Sequence, residues 1–189
     1  MSDFLMKVEK LMRGVVPEAT PYIDVERKKE VWKRITLENN GTFKIRRTVD
    51  RTLSRLIMEI PVHNLKITFE ESDNNHLRIR CNINQKDFKF YITFEDLIER
   101  IIKAFRNREI EIGDKEFDEK YLIVTNNEKK MTEILSDKKL KTLLIKNNVS
   151  NFHLDNGELF ILGHRHIDKF EELNEMLEIM KIVINKISR

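Results

Sequence analysis

Between residues 65 and 92 hydrophobic and polar positions alternate strictly along the chain. Leu65, Ile67 and Phe69 share one face, Asp73-Asn74-Asn75 breaks the run, Leu77, Ile79, Cys81 and Ile83 resume it, and Phe88, Phe90 and Ile92 follow. A period of two with polar residues between predicts a three-stranded antiparallel meander with one solvated face. Upstream, Val31, Ile35 and Leu37 alternate with polar neighbours, then Asn39-Asn40-Gly41 precedes Thr42-Phe43-Lys44-Ile45-Arg46. Asn40-Gly41 suits the two positive φ angles of a type I′ turn, so a hairpin is expected here. Residues 49–60 fit both periods: Val49, Leu53, Leu56, Ile57 and Ile60 at helical spacing, Leu56, Met58, Ile60 and Val62 in alternation. They read as a short helix ending before Pro61.

Elsewhere the period lengthens. Ser2 is placed to cap a first helix carrying Phe4, Leu5, Val8, Leu11, Met12 and Val15, stopped by Gly14 and Pro17 and followed by a linker to Pro21. Thr93 opens a second, with Asp96 as the capping-box acid and a stripe of Phe94, Leu97, Ile98, Ile101, Ile102 and Phe105. Asn127 caps a helix to Leu135, and Ser136 restarts one over Lys138–Lys146. A hairpin follows, Phe152 and Leu154, then Asp155-Asn156-Gly157, then Leu159–Leu162. Asp168, with Glu171 three residues on, caps the last helix, whose apolar face is Phe170, Leu173, Leu177, Met180, Ile184 and Ile187, widened by Met176 and Val183. That face suits packing on a sheet or in a bundle better than a coiled-coil seam.

Residues 109–125 join the two regimes. Ile110 and Ile112 alternate with carboxylates, Gly113-Asp114 makes a turn, Phe117 is a buried plug, and Tyr121-Leu122-Ile123-Val124 is a continuous apolar run of the kind found in strands covered on both sides. Gly113, Asp114, Phe117 and Asp118 form a structural hinge. The fold class that follows is α+β: antiparallel sheet of meander and hairpins, packed against amphipathic helices, with a long C-terminal helix. The chain divides into residues 1–22, an N-terminal amphipathic helix and linker; 23–112, a strand-rich unit; and 113–189, a β-α-α-β-β-α unit that can share one core with it.

The order Gly113-Asp114, two residues, Phe117-Asp118, then Tyr121-Leu122-Ile123-Val124, a helix ending in Ile134-Leu135-Ser136, a hairpin and a closing helix resembles a motif of an uncharacterised bacterial family of soluble domains. The resemblance covers residues 109–187. It implies an α+β domain and no particular activity, and this chain differs from membrane-tethered relatives in having no spanning segment.

Composition narrows the function classes. In 189 residues, 40% are hydrophobic, enough for a core without staples, and the one cysteine excludes an intrachain disulfide. No apolar run reaches the roughly 18 residues of a membrane span, and no secretory leader is evident, so a cytoplasmic home is expected. Lys and Arg number 35 against 32 acids, interspersed throughout, which describes a solvated surface. The nearest thing to a basic stripe is Lys44, Arg46, Arg47, Arg51 and Arg55, with Arg78 and Arg80 beyond. Without a larger charge excess or a motif, nucleic-acid binding is disfavoured.

Candidate chemistry is sparse. His164-Arg165-His166 would put two imidazoles on one strand face, and with His153 they are the candidates for a three-nitrogen metal set; two alternating histidines are common by chance, and no metal or other cofactor is assigned. Ser150, His153 and Asp155 have the residue types of a nucleophilic triad but lie within six residues on one extended segment. The acids at 114–119 fail the spacing of a calcium loop. Cys81 falls on an apolar face with no flanking cation, where a thiol is inert packing. No phosphate-cradling loop, dinucleotide fingerprint or zinc-protease helix occurs. The chain therefore reads as a non-enzymatic protein-interaction or adaptor module, working through an apolar helix face or exposed sheet on a protein partner or a second copy of itself. The alternative is a cavity between sheet and helix holding a lipid or small hydrophobic ligand.

Overall fold

The computed structural model describes residues 25–47, 54–72, 75–94, 108–163 and 166–188. The expected N-terminal helix and most of the expected helix 94–107 lie outside them. Among the described residues nine strands form one antiparallel sheet: β1 (Thr42–Arg47), β2 (Ser54–Val62), β3 (Leu65–Ser72), β4 (Asn75–Asn82), β5 (Phe90–Phe94), β6 (Arg108–Ile110), β7 (Tyr121–Thr125), β8 (Asn151–Asp155) and β9 (Glu158–Leu162), in the order β1-β2-β3-β4-β9-β8-β5-β7-β6. The described helices are α1 (Val25–Glu38), α2 (Lys115–Asp118), α3 (Glu128–Leu135), α4 (Lys138–Lys146) and α5 (Phe170–Ile187). The class is α+β, with the long C-terminal helix in place.

The register aligns one apolar residue from every strand on a single line. Phe43 lies opposite Met58, and the row continues through Phe69, Ile79, Ile161, Phe152, Ile92 and Ile123 to Ile110. Period-two alternation puts the flanking residues Leu56, Ile67, Leu154 and Leu159 on the same side, all buried. Onto this side pack the helices. α5 buries Leu173, Met176, Leu177, Ile179, Met180, Val183, Ile184 and Ile187, and has α1 on one flank and α3 and α4 on the other. Each large aliphatic side chain so buried contributes about 1.5–3 kcal/mol.

Several expectations are corrected. Residues 31–38 are not a strand: Lys28, Trp32, Ile35 and Thr36 are buried at helical spacing, and Leu37, which completed the apparent alternation, is 79% exposed. Asn40-Gly41 ends this helix instead of turning a hairpin. Asn40 has φ 53, Gly41 N–H donates to Thr36 O at 2.8 Å and Asn40 N–H to Leu37 O at 3.5 Å, the paired bonds of a Schellman cap. A Cβ at Gly41 would lie 2.5 Å from Glu59 O, so glycine lets the chain turn directly into β1 against β2. Residues 54–60 are strand, with Leu56, Met58, Ile60 and Val62 inward; Pro61 is tolerated because β1 pairing stops at Glu59.

The meander is β1-β2-β3-β4, and β5 is not its next strand. The β8–β9 hairpin inserts between β4 and β5, so that β5 lies between β8 and β7, with residues 90–93 buried on both faces and Phe94 half-buried. Thr93 accordingly sits in β5, opposite Leu122 and Asn151, and does not begin a helix. Within the hairpin, Asn156 (φ 50) and Gly157 (φ 82) do form the expected tight turn. Its tip docks after β4, where Ile83 N–H donates to Gly157 O at 2.7 Å. Finally, α4 is capped by the Asp137 side chain and not by Ser136, and α5 starts at Phe170 with no side-chain cap, since Asp168 pairs with Arg27 at 3.2 Å.

Two aspartate substitutions separate this architecture from the alternating reading of residues 31–38. Leu177→Asp strands a charge in the core and is expected to remove about 3–5 kcal/mol of stability in chemical denaturation. Leu37→Asp is expected to change it by about 0.5 kcal/mol or less. Comparable losses at both positions would contradict the helical assignment of α1.

Candidate functional site

The hinge residues build a structural joint. Gly113 (φ 76) turns the chain out of β6, and the Asp114 side chain accepts from Phe117 N–H at 3.4 Å at the start of α2. Asp118 accepts from Ile112 N–H at 3.0 Å and Asp114 N–H at 2.9 Å, closing the turn with both carboxylate oxygens. Lys141 of α4 pairs with Asp114 and holds its carboxyl below the ordinary range. Phe117 is fully buried, its ring 4.7 Å from that of Tyr121, whose hydroxyl donates to Leu144 O at 2.7 Å. Glu116 and Glu119 face solvent. Asp118 thus closes the turn on itself, Asp114 ties it to α4 and Phe117 packs it against β7.

The histidines are placed apart in function. His164 lies outside the described residues. His153 is buried on the sheet face opposite the helices, where its ring stacks on Tyr91 at 4.6 Å and tilts against Phe160 at 5.0 Å. Its Nδ1 and the Tyr91 hydroxyl both lie within hydrogen-bond reach of Asn151 Oδ1, at 3.1 and 3.3 Å. An acceptor oxygen there calls for a proton on Nδ1. Burial drives the imidazole pKa down to about 3 against the opposing pull of Asp155, so the ring is neutral. Asp155 directs a carboxylate oxygen to Lys89 at 2.8 Å, and His153 faces Asn151 instead of that acid, so the Ser150, His153 and Asp155 types are not arranged as base and orienting acid. His166 instead bonds a buried carboxylate, Glu71. Among the described residues no three metal-ligating side chains converge. Cys81 lies on the helix-facing side, and burial pushes its thiol up to about 11, away from nucleophilic use.

Sequence reasoning missed the most deeply buried ion pair. Glu71 follows Ile67 and Phe69 on the core side of β3, at an irregularity in pairing with β4. Lys28 of α1 reaches both of its oxygens at 2.7 Å and also donates to Ile167 O at 2.7 Å. The two side chains are 3% and 0% exposed. Burial lowers the Lys28 pKa, opposed by the Glu71 charge. The pair fixes α1, the end of β3 and the entry to α5 to one another. Its sequence signal was the Glu-Glu-Ser end of an alternating strand, which reads as the strand's solvated limit.

The solvent side of the meander is different in kind. Register places Lys44 and Arg46 of β1, Arg55 of β2, Lys66 of β3, and Arg78 and Arg80 of β4 on this one side, against the carboxylates of Glu59 and Glu70. Glu59 pairs with Lys66 at 2.9 Å, and Glu70 bridges Arg55 at 2.7 Å and Arg80 at 3.1 Å. Arg46 stands directly opposite Arg55. Like charges facing across a strand pair are destabilising, so this arrangement is not one the fold itself requires. Five members of the basic stripe in the sequence, Lys44, Arg46, Arg55, Arg78 and Arg80, are thus gathered onto one surface; Arg47 is exposed at the strand end and Arg51 lies outside the described residues. A separate cavity of about 300 Å³ sits where β9 ends beside α5, with Val149, Ile161, Leu162, Ile167 and Met176 as apolar walls and Asn147, Asn148 and Glu172 as polar ones.

No protein-family model matches the chain, and no curated protein does. Among solved structures it is similar to the crystal structure of the mycobacterial trehalose monomycolate transport factor A, with 6% sequence identity over 84% of this chain and 94% of that chain and a TM-score of 0.46. A likeness of that degree carries no functional argument. Among the described residues no helix is long and apolar enough to cross a membrane.

The buried imidazole sets a pH dependence. Between about pH 6.5 and 3 the unfolded chain protonates this histidine while the folded chain does not, so its contribution to stability is present above pH 6.5 and is lost as pH falls through that window. In urea titrations from pH 7 to 4, His153→Phe is expected to lose less stability than the parent. Parallel pH profiles would mean that the imidazole titrates normally in the fold.

Proposed function

We propose that this chain is a non-enzymatic interaction module whose working surface is the solvent side of β1–β4, and that its partner is an acidic protein surface. The observation that carries this reading is Arg46 placed opposite Arg55 within a field of six cations and two acids. A surface that accepts internal repulsion is explained by a partner that supplies the missing negative charge. Supporting it from the other side, the apolar stripe of α5 is consumed by the core, which leaves the sheet as the place for contact. The conspicuous titratable groups of the interior, Lys28, Glu71 and His153, have structural partners.

Charge reversal at β1 separates binding from folding. Lys44→Glu with Arg46→Glu creates a cross-strand pair with Arg55, and is expected to leave stability unchanged or raise it by about 0.2–1 kcal/mol. The same variant is expected to lose retention on immobilised polyglutamate at low ionic strength. Lys129→Glu with Lys138→Glu, an equal change in net charge on exposed positions of α3 and α4, is expected to keep most of it. Equal loss of retention in both variants would reduce the surface to net charge alone and overturn the reading.

A further inference from the structure

We infer that the open edge of β1 is a docking site for an extended segment of a partner protein, in which acidic and apolar residues alternate. This rests on the reading of the meander surface as the working face, and specifies how the partner is held. Among the described residues β1 is the terminal strand of the sheet, and only β2 pairs with it. A terminal strand presents every second N–H and C=O outward, and an incoming strand can satisfy them as a further rung of the ladder.

The side chains of β1 state which strand fits. Phe43 and Ile45 turn to the helix side, where they are half-buried, the Phe43 ring 5.9 Å from that of Trp32. Lys44 and Arg46 turn to the solvent side and are exposed. An added strand has its own side chains alternating between the same two sides. Those beside Phe43 and Ile45 complete the cover over α1 and are apolar; those beside Lys44 and Arg46 are carboxylates. The same charges reject the commonest competitor. Two copies of β1 paired about a twofold axis normal to the sheet would bring Lys44 and Arg46 against their own counterparts. Glu109-Ile110-Glu111-Ile112 of β6 and its continuation has the fitting alternation, so a second copy is the alternative occupant to be tested.

The test uses the full chain and labelled peptides, read by fluorescence anisotropy at low ionic strength. One is an eight-residue alternation of Glu and Val; one has the same composition in two blocks; one is the alternating peptide with its backbone nitrogens methylated, which cannot donate to a ladder. The alternating peptide is expected to bind at least about tenfold more tightly than the other two, a difference of about 1.4 kcal/mol. Lys44→Glu with Arg46→Glu is expected to lose it and to bind an alternating Lys and Val peptide instead. Equal binding of the alternating and block peptides would overturn strand addition while leaving an acidic partner in place, and binding of neither would remove both readings. Tighter binding to single-stranded DNA or to anionic phospholipid vesicles than to the alternating peptide would overturn the proposal. So would concentration-dependent self-association of the unliganded chain in sedimentation, abolished by Glu109→Lys with Glu111→Lys, which would assign the edge to a second copy.

Discussion

The line of nine apolar side chains from Phe43 to Ile110 is the constraint on which everything else depends. A shift of one residue in any strand would turn its inward set to the opposite side, and the helical layer would lose part of its seat. Because the register holds across all nine strands, whatever lies one residue along from the line falls on the other side. On β1–β4 that second set is mostly polar or charged, Thr42, Glu59, Thr68 and Arg80 in one row and Lys44, Glu70 and Arg78 with Ile57 in the next. On β9, β8, β5 and β7 the corresponding line continues through Phe160, His153, Tyr91 and Val124, apolar or aromatic, with His153, Tyr91 and Val124 buried. One sheet therefore has two unlike halves on its far side: a wet cationic half at the β1 end, and a buried aromatic half towards β7.

The buried charges follow from where helices meet strand ends. Lys28 and Glu71 are desolvated, which is costly, and their geometry offsets the cost: both carboxylate oxygens and one backbone carbonyl take the three ammonium protons. A hydrophobic pair could pack there as well. The ionic one ties α1 to β3 and to the backbone at Ile167 through three directed bonds, on the same helix whose Trp32 meets Phe43 of β1.

What was legible in the sequence depended on whether a local pattern had one physical use or two. The alternation of Leu65–Cys81, the continuous run Tyr121–Val124, the cap at Asn127 and the turn at Gly113 each have one, and the structure places them as the residues suggest. Asn-Gly has two. At 156–157 it closes a hairpin, whereas at 40–41 it ends a helix, because both geometries need a left-handed asparagine. The decision lay upstream, in Lys28, Trp32 and Ile35 at helical spacing, and it was obscured by an exposed Leu37 and by a buried lysine whose partner is 43 residues away. The insertion of β8 and β9 between β4 and β5 was beyond local reading altogether, since period-two strands record which side is buried and not which neighbour they have. The cationic surface was visible as a stripe, but its gathering onto one side required the register.

Strand addition requires that the edge of β1 be open in the native protein. Residue-resolved amide hydrogen exchange measures this. If the edge is open, amides in Thr42–Arg47 are expected to alternate: those facing β2 protected, those facing outward exchanging nearly as fast as in an open chain, while Ile79, Phe152 and Ile92 exchange only through global unfolding. Uniform protection along β1 in the isolated chain would show that the edge is already covered and has no free rung for an incoming strand.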